Sequence, residues 1–150
     1  MRIMARNIDT AAEAAREYGV AIAIENVYFF NRDNTLLPML FDNIKSDNVG
    51  FCLDFGHAHY EGGGVDYWLD KLGKRIITTH IHDNRGKADE HRPPGFGTIP
   101  WPSVIARLHD LGYEGYANFE SGPWELPDMV DGYRHAIDYW RACERIADGR

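Results

Sequence analysis

Four short apolar runs in this 150-residue chain each end on a carboxylate or an imidazole. They close on Glu25 in AIAIEN, Asp54 in GFCLDFGH, His80 in ITTHIHD and Glu120 in YANFES. Side chains on a strand alternate between faces. Parity therefore groups Ala21, Ala23 and Glu25 against Val20, Ile22 and Ile24, and Cys52 and Asp54 against Phe51 and Leu53. The third run sets Ile76, Thr78, His80 and His82 against Ile77, Thr79 and Ile81, and the fourth sets Tyr116, Asn118 and Glu120 against Ala117 and Phe119. Each polar group stands on one face at the C-terminal end of its strand. Strands covered on both faces, with ligands outside their carboxyl ends, belong to parallel α/β sheets and barrels. Together the four look like one metal site.

Helical patterns alternate with these runs. Residues from about 7 to 18 read as a helix with Ile8, Ala12 and Ala15 on one stripe and Gly19 as its stop. Tyr28, Phe29, Phe30 and Asn31 read as a loop, and a helix near 35 to 45 follows with Thr35 as its cap. The glycines 62 to 64 precede a short helix from about Tyr67 to Leu72, and Pro102 suits the first turn of a helix that Gly112 ends. The fourth strand is expected near 115 to 120 and a last helix from about Asp128 to Ile146. The sum is α(βα)4 with parallel strands, a single domain over 1–150.

Composition narrows the class. A chain with 44% hydrophobic and 13% aromatic residues can bury a core, and a formal charge of −7 gives it no general affinity for nucleic acid backbones. No apolar run reaches membrane-spanning length and no signal peptide is recognisable. Cys52 and Cys143 have no CxxC spacing, so a reduced, cytoplasmic setting is the simplest expectation.

The series IEN, LDFGH, HIHDNRGKADEHRPPGFGTIPW and NFES resembles the sugar phosphate isomerase/epimerase group of the xylose isomerase-like TIM barrels, which also includes the endonuclease IV type of nuclease. In that family the motifs lie on the last four strands of an eight-stranded barrel of about 250 residues. The resemblance thus implies a (βα)4 half of a TIM barrel, with two open strand edges and an uncovered inner face. Three arrangements could complete it: a longer gene product of which this is a part, a homodimer, or a separate N-terminal half.

Carried over residue by residue, the resemblance makes Glu25, Asp54, His80 and Glu120 the metal ligands. This oxygen-rich set suits Mn²⁺ or Mg²⁺ and is compatible with Co²⁺ or Zn²⁺. Glu25 and Glu120 are also the expected catalytic pair, moving protons on opposite faces of a ketose whose enediolate the metal stabilises. His57 and Arg85 match substrate-binding positions, and His57 also matches a residue that binds an additional metal in the nucleases. Asp89 and His91 match a nuclease DxH metal pair that many non-nuclease members also carry; here His91 is assigned to substrate and Asp89 to support of the site. His82 is expected to orient a ligand from behind and Asp83 to orient the following loop. His59, His109 and His135 have no motif support.

GFGTIPW is not a dinucleotide motif, because no strand leads directly into it. It matches a family loop in which Gly95 and Gly97 permit a close turn and Trp101 anchors the next helix. Tyr28, Phe29, Phe30 and Trp124 are candidates for an apolar pocket wall. The function implied is a metal-dependent isomerase or epimerase of a sugar, sugar phosphate or polyol. The alternatives are a dehydratase of the dehydroshikimate type, an endonuclease IV-like nuclease, which the acidic balance speaks against, and a non-catalytic half-barrel for binding or assembly.

Overall fold

The computed structural model describes residues 1–61, 63–122 and 129–149. Helix α1 (Arg2–Arg16) leads into β1 (Ile22–Glu25), and the short helices α2 (Tyr28–Arg32) and α3 (Leu36–Phe41) return the chain to β2 (Val49–Asp54). Then follow α4 (Phe55–Tyr60), α5 (Val65–Leu72), a 3₁₀ turn (Gly73–Arg75), β3 (Ile76–His80), α6 (Trp101–Asp110) and α7 (Met129–Ala147). The strands form one parallel sheet in the order β1-β2-β3, as helical crossovers require. Among the described residues no helix is long and apolar enough to cross a membrane.

The central strand β2 is buried along its whole length. Its outward residues Phe51 and Leu53 pack under the helices, where Phe51 meets the rings of Phe41 and Trp68 at centroid distances of 6.2 and 5.7 Å. A second aromatic series runs Phe55–Trp101–Trp140–Phe119, with centroids 5.4, 5.4 and 5.8 Å apart. It links α4, α6 and α7 to the segment that carries Glu120.

Several elements depart from the sequence expectation. The fourth strand reduces to one parallel bridge, Ile81↔Phe119. Side chains take the place of a longer ladder there: Thr79 Oγ1 donates to the Tyr116 carbonyl at 3.2 Å and Asn118 Nδ2 donates to Thr78 Oγ1 at 2.8 Å. The first helix starts and ends earlier, at Arg2 and Arg16, with Gly19 in the left-handed region at φ 66° just beyond it. Residues expected as a loop form α2, while α3 stops at Phe41. Thr35 makes no side-chain cap; its hydroxyl donates to Asp33 Oδ1 at 2.6 Å.

A register shift between Phe51 and Cys52 corrects the parity of β3. Phe51 pairs with Ile76 but Cys52 pairs with Thr78, so Ile77 is the extra residue of a bulge. Its side chain lies over Gly50, where a Cβ would come within 2.4 Å of Ile77 Cγ2. Ile77 therefore joins the Cys52 and Asp54 face, and it is 44% exposed there.

Candidate metal centre

The pairing register delivers the site. Glu25 pairs with Cys52, Cys52 with Thr78 and Asp54 with His80, so these side chains share one face and its carboxyl end. Asn26 locks the first two strand ends together: its Oδ1 accepts from the Asp54 N–H at 2.8 Å and its Nδ2 donates to the Asp54 carbonyl at 2.9 Å. Glu120 arrives through the bridge, its N–H donating to the Ile81 carbonyl at 3.0 Å while Ile81 N–H donates to the Asn118 carbonyl at 2.7 Å.

The result is a group of four, Glu25, Asp54, His80 and Glu120, whose ligand atoms all lie within 4.8 Å of one another. His80 Nδ1 is 2.8 Å from Glu120 Oε2, 3.5 Å from Glu25 Oε1 and 3.8 Å from Asp54 Oδ2. That nitrogen is buried, and no protein group aligns with it as a hydrogen-bond partner. No Lys or Arg pairs with the three carboxylates among the described residues. Three converging carboxylates repel one another unless a cation sits among them. Donor chemistry and the orphaned nitrogen both fit a divalent cation with a preference for oxygen ligands.

Asp54 is the most constrained residue of the four. It is fully buried, and as the residue preceding α4 it caps that helix, accepting from the His57 N–H at 2.7 Å. The His82 ring stands behind it, with Nε2 2.9 Å from Oδ1 and 3.1 Å from Oδ2. Burial opposes the charge on Asp54, but the His82 hydrogen bond and the nearby His82 and His57 rings hold its carboxyl below the ordinary value of 3.8. The His82 ring needs Gly56, because a Cβ there would fall 1.9 Å from its Cε1. Below the quartet, Cys52 is pushed up to about 12 by burial and by the charges of Glu25, Asp54 and Glu120, so its thiol stays protonated.

His57 stands between the quartet and a second group. Its Nδ1 is 3.2 Å from Glu25 Oε1, without hydrogen-bond alignment, and its Nε2 is 3.3 Å from Asp89 Oδ2. Burial disfavours its charge, yet the Glu25, Asp54 and Asp89 carboxylates raise its pKa to about 9. Asp89 Oδ2 is also 3.3 Å from His91 Nε2, and Oδ1 is 4.0 Å from His82 Nδ1. His57, His82, Asp89 and His91 thus approach within 4.8 Å as well. They do not close into a four-ligand site as they stand. The His82 and His91 rings are stacked 3.9 Å apart and only 8° from parallel. An imidazole ligates in its own plane, and two such planes do not meet at one ion.

Asp83 organises the following loop. Its Oδ1 accepts from the N–H groups of Asn84 and Ile99 at 2.9 and 3.1 Å, and its Oδ2 from Gly95 N–H and Trp101 Nε1 at 3.0 and 2.9 Å. Gly97 passes so close that a Cβ would lie 2.1 Å from Asp83 Oδ1. Arg85 is placed apart from both groups, with its side chain 56% exposed and Nη1 3.9 Å from Glu90 Oε1. Phe30 is buried and Phe29 is 57% exposed. The Tyr28 side chain and Trp124 lie outside the described residues. His59 meets Thr98 Oγ1 at 2.8 Å, His109 lies 3.3 Å from Asp148, and His135 stands edge-on to Phe96.

Sequence reasoning assigned no role to three residues that build the site: Asn26, Gly56 and Asn84. Asn84 donates from Nδ2 to the Gly56 carbonyl at 2.8 Å and accepts from the Gly86 N–H at 2.8 Å. Of the three, only Asn26 directly follows a strand end, where a side-chain amide can mimic a ladder partner, and the sequence IEN does not separate that role from an Asn that begins a loop.

A parallel sheet with this cluster at its carboxyl edge is the setting in which the family match falls: residues 1–143 match the model of the xylose isomerase-like TIM barrel family. The chain belongs to that family. An uncharacterised protein of Methanocaldococcus jannaschii is 34% identical over 129 residues, 79% of this chain and 44% of the relative. Fructoselysine 3-epimerase of Escherichia coli is 26% identical over 144 residues, 93% of this chain and 52% of the relative. The crystal structure of a D-tagatose 3-epimerase-like protein superposes with a TM-score of 0.78 at 27% identity, covering 97% of this chain and 54% of that one. The chain therefore spans about half the length of the relatives it matches, and its homologues are sugar epimerases and isomerases.

Proposed function

We propose that the chain carries the metal-binding half of a divalent-metal-dependent isomerase or epimerase acting on a sugar, sugar phosphate or related polyol. The observation that carries this reading is the convergence of three carboxylates on His80 Nδ1, with no Lys or Arg pairing with them among the described residues. Glu25, Asp54, His80 and Glu120 hold the ion, with Mn²⁺ or Mg²⁺ matching the oxygen-rich set best. When bound, the ion supplies Lewis acidity that lowers the barrier to removing a proton beside a ketose carbonyl.

The protein groups do the proton transfer. Glu25 and Glu120 approach from opposite edges of the group, so one removes the proton and the other returns it. Return to the opposite face gives epimerisation, and return to the neighbouring carbon gives isomerisation. His57, held beside Glu25 and Asp89, binds a substrate oxygen, and the planar donors of Arg85 suit a hydroxyl or phosphate brought to the mouth of the site. A second half-barrel covers the inner face, supplied by a longer product, a separate chain or another copy; the exposed Ile77 and the half-length match to relatives support this.

The test is deuterium exchange. Ketoses and their phosphates incubated in D₂O with the Mn²⁺-loaded protein should gain deuterium beside the carbonyl. Glu120→Gln should reduce that incorporation by at least about 100-fold, since it removes a positioned acid-base group. Incorporation unchanged in the variant excludes Glu120 from the chemistry.

A further inference from the structure

Asp54 and Glu120 are the ligands whose supports differ most. Asp54 ends a strand buried along its length, whereas Glu120 ends a segment joined to the sheet by one bridge, and its side chain is 47% exposed. A metal site needs both held at fixed separation before the ion arrives; β2 holds Asp54 along a whole strand, whereas Glu120 has only the bonds of the one bridge to Ile81.

A path outside the sheet joins the two. His82, fully buried, sets its Nε2 against both Asp54 oxygens. Its opposite neighbour is the His91 ring, stacked on it at 3.9 Å and 8°. His91 Nδ1 lies 2.9 Å from the Glu120 carbonyl oxygen. A carbonyl only accepts, so this nitrogen carries the proton and donates. The Gly122 N–H returns to the His91 carbonyl at 2.8 Å, so residues 120 to 122 are held from both sides of His91.

The main chain at His91 is also tied down. His91 is the one non-glycine among the described residues with positive φ, at 46°. Positive φ is uncommon outside glycine, and His is among the side chains that adopt it more readily. Next to it Arg92 and Asp83 exchange N–H···O bonds of 2.7 and 2.9 Å, which anchors this turn to the Asp83 loop. At the other end, Gly56 leaves the space that the His82 ring fills.

We propose that the stacked His82–His91 pair is a positioning device that fixes Glu120 relative to Asp54 and so sets the metal affinity of the quartet. His91 then serves the fourth ligand rather than the substrate. The inference rests on the quartet being a metal site, and it names the residue through which His91 acts.

The experiment is a Mn²⁺ titration of the full chain, followed by electron paramagnetic resonance, in a cycle of His91→Ala and Glu120→Gln. His91→Ala should weaken Mn²⁺ binding by about 10- to 100-fold, the range for supports behind a ligand. His91→Asn should recover part of that loss, because its amide can donate to the same carbonyl and Asn tolerates positive φ. In the Glu120→Gln background, His91→Ala should have little further effect, because its action passes through Glu120. Circular dichroism of each variant separates this from unfolding. Two results overturn the inference while leaving the quartet intact: His91→Ala binding within twofold of wild type, or a loss equally large in the Glu120→Gln background. If His91→Ala instead removes one whole ion from the stoichiometry, His91 is itself a ligand and the positioning role falls. A wild-type chain that binds no Mn²⁺ overturns both the inference and the metal reading.

Discussion

His57 shows how one side chain reports the charge of its surroundings. Three carboxylates raise its pKa from 6.5 to about 9 in the metal-free protein, against the cost of burial. A raised folded value means that the contribution to stability is fully present below pH 6.5 and is lost as pH rises through 9. Urea unfolding of the metal-free chain between pH 6 and 10 should show this decline, and His57→Gln should flatten it; an unchanged slope in the variant assigns the pH dependence elsewhere. At this scale the quartet was legible in the sequence because each ligand ends an apolar run at matched parity. Asn26 was not, since nothing in IEN distinguishes an Asn that binds the Asp54 backbone from one that begins a loop. The stack of His82 on His91 was equally hidden, because it joins residues of different elements.

At the scale of elements, the loop after β3 depends on a single carboxylate. Asp83 accepts four N–H groups drawn from positions 84, 95, 99 and 101. Asp83→Ala leaves those buried donors without an acceptor and should cost at least about 3 kcal/mol in chemical unfolding. A loss below about 1 kcal/mol would mean that water replaces the carboxylate and that the loop does not depend on it. The strands β1 to β3 were readable as apolar runs between turn residues. Helix α4 was missed because its six residues FGHAHY follow β2 without a break and contain Gly56, a poor helix former retained to admit the His82 ring. The fourth strand was overextended for the opposite reason. YANFES alternates like a strand, but bonds from Thr79 and Asn118 side chains hold the segment where ladder bonds were expected.

The sheet is covered by helices on one face, while on the other β2 is buried and the flanking strands carry exposed apolar side chains. The helices bury Phe51 and Leu53, while Ala23 and the bulged Ile77 are exposed on the opposite side. Exposed apolar side chains on a sheet face favour association. The isolated chain should therefore associate with itself in sedimentation velocity, and Ile77→Asp should shift it toward monomer by tenfold or more in concentration. Identical behaviour of the variant would place the association surface elsewhere. The parallel α/β arrangement was legible from element order and parity, and the half-barrel only through the family resemblance; the bulge that turns Ile77 inward was not legible, since a register shift depends on the neighbouring strand. The central claim is that four strand-end residues form one cation site, and Mn²⁺ affinity measured by isothermal titration on wild type and on the Glu25→Gln/Glu120→Gln double variant tests it most directly. The account predicts binding by the wild type that weakens by at least about 100-fold in the variant, beyond the range of supporting residues. Equal affinities in the two proteins, or no binding by the wild type, would contradict it.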